Sequence, residues 1–127
     1  MTNIIILDTN FLYISLKKRL DIIDVLRQCL CSFVIPCITN CVILELENLG
    51  PKFRIVLKYI KSSKMIILKC SHPCEIKYAD NCIIYHCSIN SSFLVATCDK
   101  DLKTRIKKKY NNKIISVKKG NYYIDKS

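Results

Sequence analysis

The sequence predicts an α/β fold in which a mainly parallel sheet is covered by helices on both faces. Short apolar runs, rich in β-branched residues, alternate along the chain with segments of helical periodicity. This alternation is typical of parallel strands joined by crossover helices. The chain has 127 residues and 50% of them are hydrophobic, which suffices for one domain with a buried core. We therefore expect a single domain over residues 1–127.

The first predicted strand, Ile4–Leu7, is the element around which we expect the fold to be arranged. Its consecutive apolar residues are typical of a strand buried on both faces, and the run ends at Asp8. Functional groups of parallel α/β sheets lie just beyond the carboxyl ends of the strands, so Asp8 is a candidate site residue. Alternatively, Asp8 only caps the next helix. We expect that helix to start at Phe11, with Thr9 or Asn10 as the cap.

The remaining elements are predicted from apolar periodicity and from residues that start or stop helices. Pro36 is expected to end the second strand, and Thr39 or Asn40 to cap the third helix. Gly50 should end that helix and Pro51 begin the next one. Residues 69–77 are predicted to form a loop. Helices are expected over 11–18, 20–31, 41–49, 51–61, 78–89 and 102–108, and strands over 33–35, 65–68, 93–97, 114–117 and 122–124.

Glu45 and Asp80 are acids on helix faces that are otherwise apolar. Glu45 shares its face with Val42 and Leu49, and the stripe of Asp80 continues three, four and seven residues later. Such faces should pack on the sheet, where a carboxylate is costly unless it has a partner. Either acid alone could instead lie at a helix end near solvent or pair with a lysine or arginine.

Asp99 and Asp101 follow the strand 93–97 as Asp8 follows the first strand. Acids at strand ends and on helix faces can meet at one edge of the sheet, where they would repel one another and raise one another's pKa. Bound divalent cations would remove that cost, and carboxylates suit Mg²⁺ or Mn²⁺. Two such ions about 4 Å apart can activate water and stabilise the leaving oxygen of a phosphodiester. The candidate catalytic and metal-binding residues are Asp8, Glu45, Asp80 and Asp99.

The charge balance indicates a polyanionic partner. Lys and Arg total 21 against 10 Asp and Glu, a formal net charge of +11, for which nucleic acid is the commonest explanation. Residues 50–69 hold six basic residues and residues 103–119 hold eight, with no acid in either block. These blocks could be solvated faces only, but we expect them to follow a nucleic-acid backbone, which the resemblance described below implies to be RNA. The candidate RNA-binding residues are Lys52, Arg54, Lys103, Arg105, Lys107, Lys108 and Lys109.

Three tyrosines are candidates for stacking on RNA bases, namely Tyr110, Tyr122 and Tyr123. Tyr122 and Tyr123 could instead alternate in and out of an edge strand. A membrane surface is the competing explanation of the positive charge, but the sequence has no strongly amphipathic basic helix and no apolar run near ~18 residues. The N-terminus also lacks the features of a secretory signal. We expect a soluble, intracellular protein with no membrane partner.

The nine cysteines are an odd number, and many lie inside apolar runs, so most are expected to be reduced core residues. A short-range cluster of soft ligands is the exception and could hold structural zinc. The alternative is that these thiols are ordinary core or surface residues. The candidate zinc ligands are Cys70, His72 and Cys82, with Cys74, Cys29 or Cys31 as the fourth.

The acidic segments together resemble PIN-domain ribonucleases. The matching segments are Ile-Leu-Asp8-Thr-Asn10-Phe, Cys-Val-Ile-Leu-Glu45, Tyr-Ala-Asp80 and Val-Ala-Thr-Cys-Asp99-Lys-Asp101. The intervening Pro36-Cys-Ile-Thr-Asn-Cys41, Pro51-Lys-Phe-Arg54 and Cys70-Ser-His72 are similar to one branch, the PIN endonuclease of the small-subunit processome. The similarity runs from about Ile4 to Tyr123, and the short chain suggests a compact eukaryotic form.

The resemblance implies a three-layer α/β/α sandwich and a single-strand RNA endonuclease that depends on Mg²⁺ or Mn²⁺. The implied substrate is pre-ribosomal RNA during 18S maturation, and the implied location is the nucleus and nucleolus. The protein would act as a monomer among processome proteins within a large particle. The resemblance implies that the four candidate carboxylates form the acidic site, with Asp101 next to it. It also implies that Asn10 orients Asp8 by a hydrogen bond and that Asn81 supports the site.

One departure from the family pattern bears on activity. Asn81 stands where family members usually have a second aspartate, which lowers the expected metal affinity. A catalytically silent PIN module that acts as an RNA-binding scaffold is therefore the second hypothesis, and a free-standing toxin-like ribonuclease is the third. Nucleotide hydrolysis of the P-loop kind is excluded, because the only glycines are Gly50 and Gly120.

Overall fold

One sheet of six strands organises the chain in the computed structural model, which describes residues 2–69 and 79–125. The spatial order is β3-β2-β1-β4-β5-β6. The first five strands are parallel, and β6 pairs antiparallel with β5. The predicted mainly parallel sheet is confirmed. The strands are β1 (Thr2–Leu7), β2 (Phe33–Thr39), β3 (Ile66–Leu68), β4 (Leu94–Ala96), β5 (Ile114–Lys118) and β6 (Asn121–Asp125).

Helices fill the connections between the parallel strands. From β1 the sheet extends through β2 to β3 on one side and through β4 and β5 to β6 on the other. Right-handed crossovers therefore place α1 to α4 on one face and α5 and α6 on the other, which is the predicted three-layer arrangement. The helices are α1 (Thr9–Lys17), α2 (Ile22–Leu30), α3 (Asn40–Asn48), α4 (Arg54–Ser62), α5 (Ala79–Ile89) and α6 (Lys100–Lys109), with a 3₁₀ turn at Pro51–Phe53.

The central strand β1 lies at the point where the strand order reverses. Its residues Ile5, Ile6 and Leu7 are fully buried, as expected for a strand covered on both faces. It pairs with β2 on one side and with β4 on the other, and Leu7 is in register with Ala96. Crevices at such a switch point, outside the carboxyl ends of the strands, are the usual ligand sites of open α/β sheets.

The prediction that Pro36 ends the second strand is wrong, because β2 continues to Thr39. Pro36 is in register with Ile5 of β1, whereas β3 pairs only with the last three residues of β2. At Pro36 the outer side of β2 is therefore unpaired by β3, and the sheet tolerates a residue without an amide proton there. Thr39 caps α3 as predicted, since its hydroxyl accepts a hydrogen bond from the Val42 N–H at 3.2 Å.

The predicted start of the first helix is also wrong. The helix begins at Thr9 rather than Phe11, and its cap is Asp8, whose side chain accepts a hydrogen bond from the Thr9 N–H. An aspartate satisfies the free amides of a helix start well, so the strand passes into the helix without an intervening turn.

Helix α4 is basic and clearly amphipathic, although no strongly amphipathic basic helix was expected from the sequence. Val56 and Ile60 are buried, while Arg54, Lys58 and Lys61 are exposed. Its contacts with α1 and α3 account for the apolar side. In the parts of the chain that the structure describes, no helix has the length and apolar character needed to cross a bilayer.

Strand β6 alternates between the core and solvent, as one of the two sequence interpretations predicted. Tyr122 is 6% exposed and Tyr123 is 41% exposed. The Tyr122 ring lies 4.7 Å from that of Phe11, and its hydroxyl donates to the Ser15 hydroxyl at 2.6 Å. Burial raises the pKa of Tyr122 to about 12. Tyr122 therefore fixes β6 to α1 and is not available to stack on a base.

Tyr122→Phe should lower the free energy of unfolding by about 1–2 kcal/mol, because the Ser15 hydroxyl then stays buried without its partner. Denaturation in urea measures this change. The matched control, Tyr123→Phe, removes an exposed hydroxyl and should change stability by less than ~0.5 kcal/mol. In the double variant with Ser15→Ala, the two losses should be less than additive. Full additivity would show that the hydroxyls do not stabilise the fold as a pair.

Candidate functional site

Asp8 is the buried centre of the acidic site. It follows β1 directly and is only 7% exposed. Its backbone N–H donates to the Ala96 carbonyl at 3.0 Å, which extends the β1–β4 pairing by one residue. Its Oδ1 accepts a hydrogen bond from the Thr9 N–H at 2.8 Å. The strand end and the helix start together fix where this carboxylate lies.

Thr97 joins Asp8 to Asp99 across the β1–β4 boundary. The fully buried Thr97 hydroxyl donates to Asp8 Oδ2 at 2.8 Å and accepts from the Asp99 N–H at 3.1 Å. The Asp99 side chain in turn caps α6, accepting from the N–H groups of Asp101 and Leu102 at 2.9 and 3.3 Å. One hydroxyl therefore orders two of the four predicted acids.

Thr9 joins Asp8 to Glu45 in a similar way. Its N–H binds Asp8, and its hydroxyl donates to Glu45 Oε2 at 3.4 Å. The prediction that Glu45 lies on a buried helix face is wrong, because Glu45 is exposed and so is Leu49, at 44%. Only Val42 and Leu46 of α3 are buried, since α3 presents a narrower apolar side than the sequence suggested. Glu45 reaches the site from the solvent side.

Asp80 lies in the first turn of α5 and is partly exposed, with Arg105 of α6 as its partner. The Arg105 guanidinium donates from Nη1 to Asp80 Oδ2 at 3.1 Å and from Nη2 to Asn81 Oδ1 at 2.7 Å. Within the described residues this is the only ion pair formed by any of the four predicted acids.

The four acids interact electrostatically although they come from four different segments. Burial is the largest cause of the raised pKa of Asp8, and the charges of Asp99 and Asp80 add to it. Partial loss of hydration where the exposed Glu45 side chain meets the site is the largest cause of its raised pKa, and the charges of Asp8, Asp80 and Asp99 raise it further. The site thus concentrates negative charge that the described basic residues compensate only at Asp80.

The donor set is suited to a hard divalent cation. All four side chains offer carboxylate oxygens, and the mutual repulsion of Asp8 and Glu45 is what a bound cation would relieve. As positioned, no group of three or more His, Cys, Asp or Glu side chains within residues 2–69 and 79–125 is close enough to hold a metal ion. The acids therefore fit Mg²⁺ or Mn²⁺ by chemistry and by shared location, and their side chains would have to move together around an ion.

Of the three supporting residues, Asn10 was expected to orient Asp8, and it does not form that hydrogen bond. Asn10 is exposed, and among the described residues its side chain forms no hydrogen bond, so the Thr97 hydroxyl and the Thr9 N–H orient Asp8 instead. Asp101 is exposed in the first turn of α6, and only its backbone N–H contacts the site, through Asp99. Asn81 lies beside Asp80 and shares Arg105 with it.

Thr97 and the bridging role of Thr9 were not predicted from the sequence. Thr97 was counted as the last residue of a buried strand, and Thr9 was considered only as a helix cap. The available signal was position, since Thr97 follows β4 as Asp8 follows β1, and the two strands are neighbours. A hydroxyl at the carboxyl end of a strand next to a candidate acid deserves to be counted as a possible site residue.

The basic block 103–119 contains no acid in sequence, but an acid from β6 lies beside it in the folded protein. Lys103 and Lys107 lie 3.7 and 2.9 Å from the Asp125 carboxylate of β6, so part of their charge is compensated within the protein. Lys108 and Lys109 are exposed at the end of α6.

The other basic candidates lie near α1 and α4. Lys52 is exposed above the rings of Tyr13 and Phe53, at 5.0 and 5.6 Å from their centres, and Arg54 is exposed at the start of α4. These two side chains remain available for a phosphate backbone.

The zinc hypothesis falls largely on residues outside the described part of the chain. Cys70, His72 and Cys74 lie in the segment 70–78, which is not described. Cys82 is buried in α5, Cys29 is partly buried and Cys31 is exposed. The described residues by themselves form no Cys/His metal cluster. Zinc binding stays a hypothesis about the segment 70–78.

The raised pKa values of Asp8 and Glu45 predict how stability depends on pH without a divalent cation. The folded state holds the proton of Asp8 more tightly than the unfolded chain, where the pKa is near 3.8. Ionisation therefore destabilises the fold, and this loss develops as the pH rises from about 4 through the raised folded-state pKa.

Asp8→Asn should remove that loss. The difference in free energy of unfolding between Asp8→Asn and the unaltered protein should increase in favour of the variant as the pH rises, and then stay constant. Urea denaturation at a series of pH values with a chelator measures it. Saturating Mn²⁺ should reverse the order by stabilising the unaltered protein more than the variant. If the difference in free energy of unfolding does not change with pH, ionisation of Asp8 does not destabilise the fold.

Comparison with known proteins assigns the family. The model of the Fcf1 family matches residues 28–126. The rRNA-processing protein FCF1 of Saccharomyces cerevisiae is 39% identical over 122 residues, which are 96% of this chain and 64% of that protein. The FCF1 homologue of Homo sapiens is 38% identical over 122 residues, 96% of this chain and 61% of that protein. The chain thus spans about three-fifths of the length of these relatives.

A solved structure of the PIN domain endonuclease Utp24 has the same fold. It superposes with a TM-score of 0.89 at 38% identity and covers 98% of this chain and 92% of that chain. This match and the family model confirm the resemblance to PIN-domain proteins of small-subunit maturation. That resemblance was expected from the acidic segments and from the sequence between them. The chain has the PIN-domain fold and belongs to the Fcf1 family.

Proposed function

We propose that this chain is a divalent-metal-dependent endoribonuclease that cleaves single-stranded pre-ribosomal RNA during maturation of the small subunit. The observation that supports it most is the convergence of Asp8, Glu45, Asp80 and Asp99 on one end of the sheet, where loss of hydration and, to a smaller extent, the neighbouring charges raise the pKa of Asp8 and Glu45. Relatives named as rRNA-processing proteins and a relative named as a PIN domain endonuclease support the substrate and the reaction class.

The proposed roles follow from position and burial. Asp8, which is fixed by two hydrogen bonds, and Asp80, which is partly exposed, are the proposed metal ligands. Glu45 and Asp99 complete the site and position the attacking water. A bound Mg²⁺ or Mn²⁺ supplies charge stabilisation for the phosphodiester and lowers the pKa of water. The proposed products carry 5′-phosphate and 3′-hydroxyl ends.

The proposed setting is a large nuclear particle. The formal net charge of +11 favours association with RNA, and the named relatives support pre-ribosomal RNA and processome proteins as partners. We propose that the protein acts there as a monomer, in the nucleolus. Target choice by the assembled particle would make the isolated protein a weak nuclease.

A silent RNA-binding scaffold of the same particle is the second candidate function. It is favoured by Asn81, which replaces a usual second acid, and by Arg105, whose guanidinium is hydrogen-bonded to the Asp80 carboxylate. The buried and ordered Asp8 favours the nuclease, because a scaffold gains nothing from a carboxylate whose ionisation destabilises the fold.

The nuclease proposal predicts the effect of single acid substitutions. Asp8→Asn and Asp80→Asn, made separately, should each let the protein join the particle while uncut 18S precursor accumulates. Glu45→Gln should also reduce cutting, whereas its matched control Glu47→Gln, two residues along the same helix and exposed, should not. Primer extension across the precursor measures uncut RNA. Normal cutting by both aspartate variants would exclude catalysis by these acids and leave the scaffold function.

The RNA-backbone proposal predicts uniform, salt-dependent binding. Lys108→Gln with Lys109→Gln should weaken binding to all single-stranded RNAs alike and reduce the slope of log affinity against log salt by up to about 1.4. Filter binding at several salt concentrations measures both. Arg19→Gln with Arg27→Gln removes the same charge from exposed residues outside both basic blocks and should have less effect. Loss of affinity for one RNA sequence only would show base readout instead.

A further inference from the structure

Arg105 makes a two-pronged contact with the acidic site that catalysis as proposed above does not require. Its guanidinium spans Asp80 and Asn81 with donor–acceptor distances of 3.1 and 2.7 Å. We call this pair of contacts the Arg105 bridge. The bridge joins α6 to the first turn of α5, and the side chains of Arg105 and Asp80 are 45% and 41% exposed. It is therefore open to solvent and to a ligand.

The bridge neutralises one of the two acids proposed as metal ligands. A carboxylate oxygen that accepts a guanidinium hydrogen bond is less available to a cation, and the positive charge repels that cation. Asn81 helps to bind the Arg105 guanidinium without adding a charge, because its side-chain carbonyl oxygen accepts the second N–H. Within residues 2–69 and 79–125, Asp80 is therefore the one ionic partner of Arg105, and a second anion can compete with it for the guanidinium.

A phosphodiester is an anion that suits this guanidinium. The flat fork of arginine donors matches two phosphate oxygens as it matches a carboxylate. Arg105 is on the same helix as Lys108 and Lys109, which are exposed in the proposed RNA-binding block. An RNA backbone that follows α6 therefore passes within reach of the bridge.

We propose that Arg105 couples RNA binding to metal binding by exchanging partners. In the free protein it holds Asp80, and in the complex it moves to an RNA phosphate and leaves Asp80 to the divalent cation. This inference rests on the proposed nuclease function and adds a regulatory step to it. The two ligands then bind cooperatively, and the coupling is reciprocal, since a cation at Asp80 frees Arg105 for RNA.

The expected size of the effect is modest. A half-exposed ion pair contributes little, so loss of the bridge should tighten metal binding by about twofold to fivefold. A weak bridge also suits the proposed exchange, because a strong one would not be displaced by a phosphate.

Long-range repulsion between the guanidinium and the cation would mimic part of this behaviour without any bridge. Arg105→Lys separates the two explanations, because it keeps the charge and loses the fork that spans Asp80 and Asn81. Arg105→Gln removes both. Arg27→Gln removes one exposed charge from α2, outside both basic blocks, and serves as the control for total charge.

Electron paramagnetic resonance of free Mn²⁺ measures the metal affinity of each variant, with and without a short phosphorothioate oligouridine that resists hydrolysis. Without the oligonucleotide, Arg105→Lys and Arg105→Gln should bind Mn²⁺ about twofold to fivefold more tightly than the unaltered protein, and Arg27→Gln should not differ. The oligonucleotide should improve Mn²⁺ affinity more in the unaltered protein than in either Arg105 variant. Melting temperatures report whether each variant is folded.

The outcomes separate this inference from the proposed function. If Asp8→Asn abolishes Mn²⁺ binding and Arg105→Lys behaves like the unaltered protein, the metal site stands and the bridge mechanism is overturned in favour of simple charge repulsion. If Asp8→Asn leaves Mn²⁺ binding unchanged, the acids do not hold the cation and both proposals fail. Equal gains from the oligonucleotide in all variants would also overturn the coupling.

Discussion

The burial of one carboxylate is the constraint on which the rest of the site depends. Asp8 ends the central strand of the sheet, and its ionised form is stabilised within the described protein by the Thr97 hydroxyl and the Thr9 N–H rather than by a cation. Both donors are available only because β4 pairs with β1 and α1 starts at once after it. The fold therefore fixes the position of this charge, and no basic side chain among the described residues pairs with it.

The two threonines spread that constraint to the neighbouring acids. Thr97 connects Asp8 to the Asp99 backbone, and Thr9 connects it to Glu45. Hydroxyls are suited to this because each can donate to one group while accepting from another. The acids of the site consequently differ in burial and in the groups that hold them. Asp8 and Asp99 are held by strand ends and helix caps, whereas Glu45 and Asp80 approach from exposed helix positions.

The sequence predicted the sheet and the location of the acids better than their environment. Four apolar residues followed by Asp8 are a local signal, and the strand alternation then places Asp8 and Asp99 at one end of a parallel sheet. The exposure of Glu45 could not be predicted, because helical periodicity defines a face but not what lies opposite it. Pro36 was misassigned for a related reason, since an unpaired strand side depends on the length of β3. The pairing of Lys103 and Lys107 with Asp125 depends on β6 returning antiparallel beside β5, which charge counting along the chain cannot reveal.

The hydrogen bond between Thr97 and Asp8 joins residues 89 positions apart, and it has a consequence for the newly made chain. This contact forms only after the chain from Asp8 to Thr97 has left the ribosome and β1 has paired with β4. Until then Asp8 lies in an incomplete sheet, without the neighbour that orients it. A chain that ends before β4 therefore lacks both the strand and the hydroxyl that hold the Asp8 carboxylate in place.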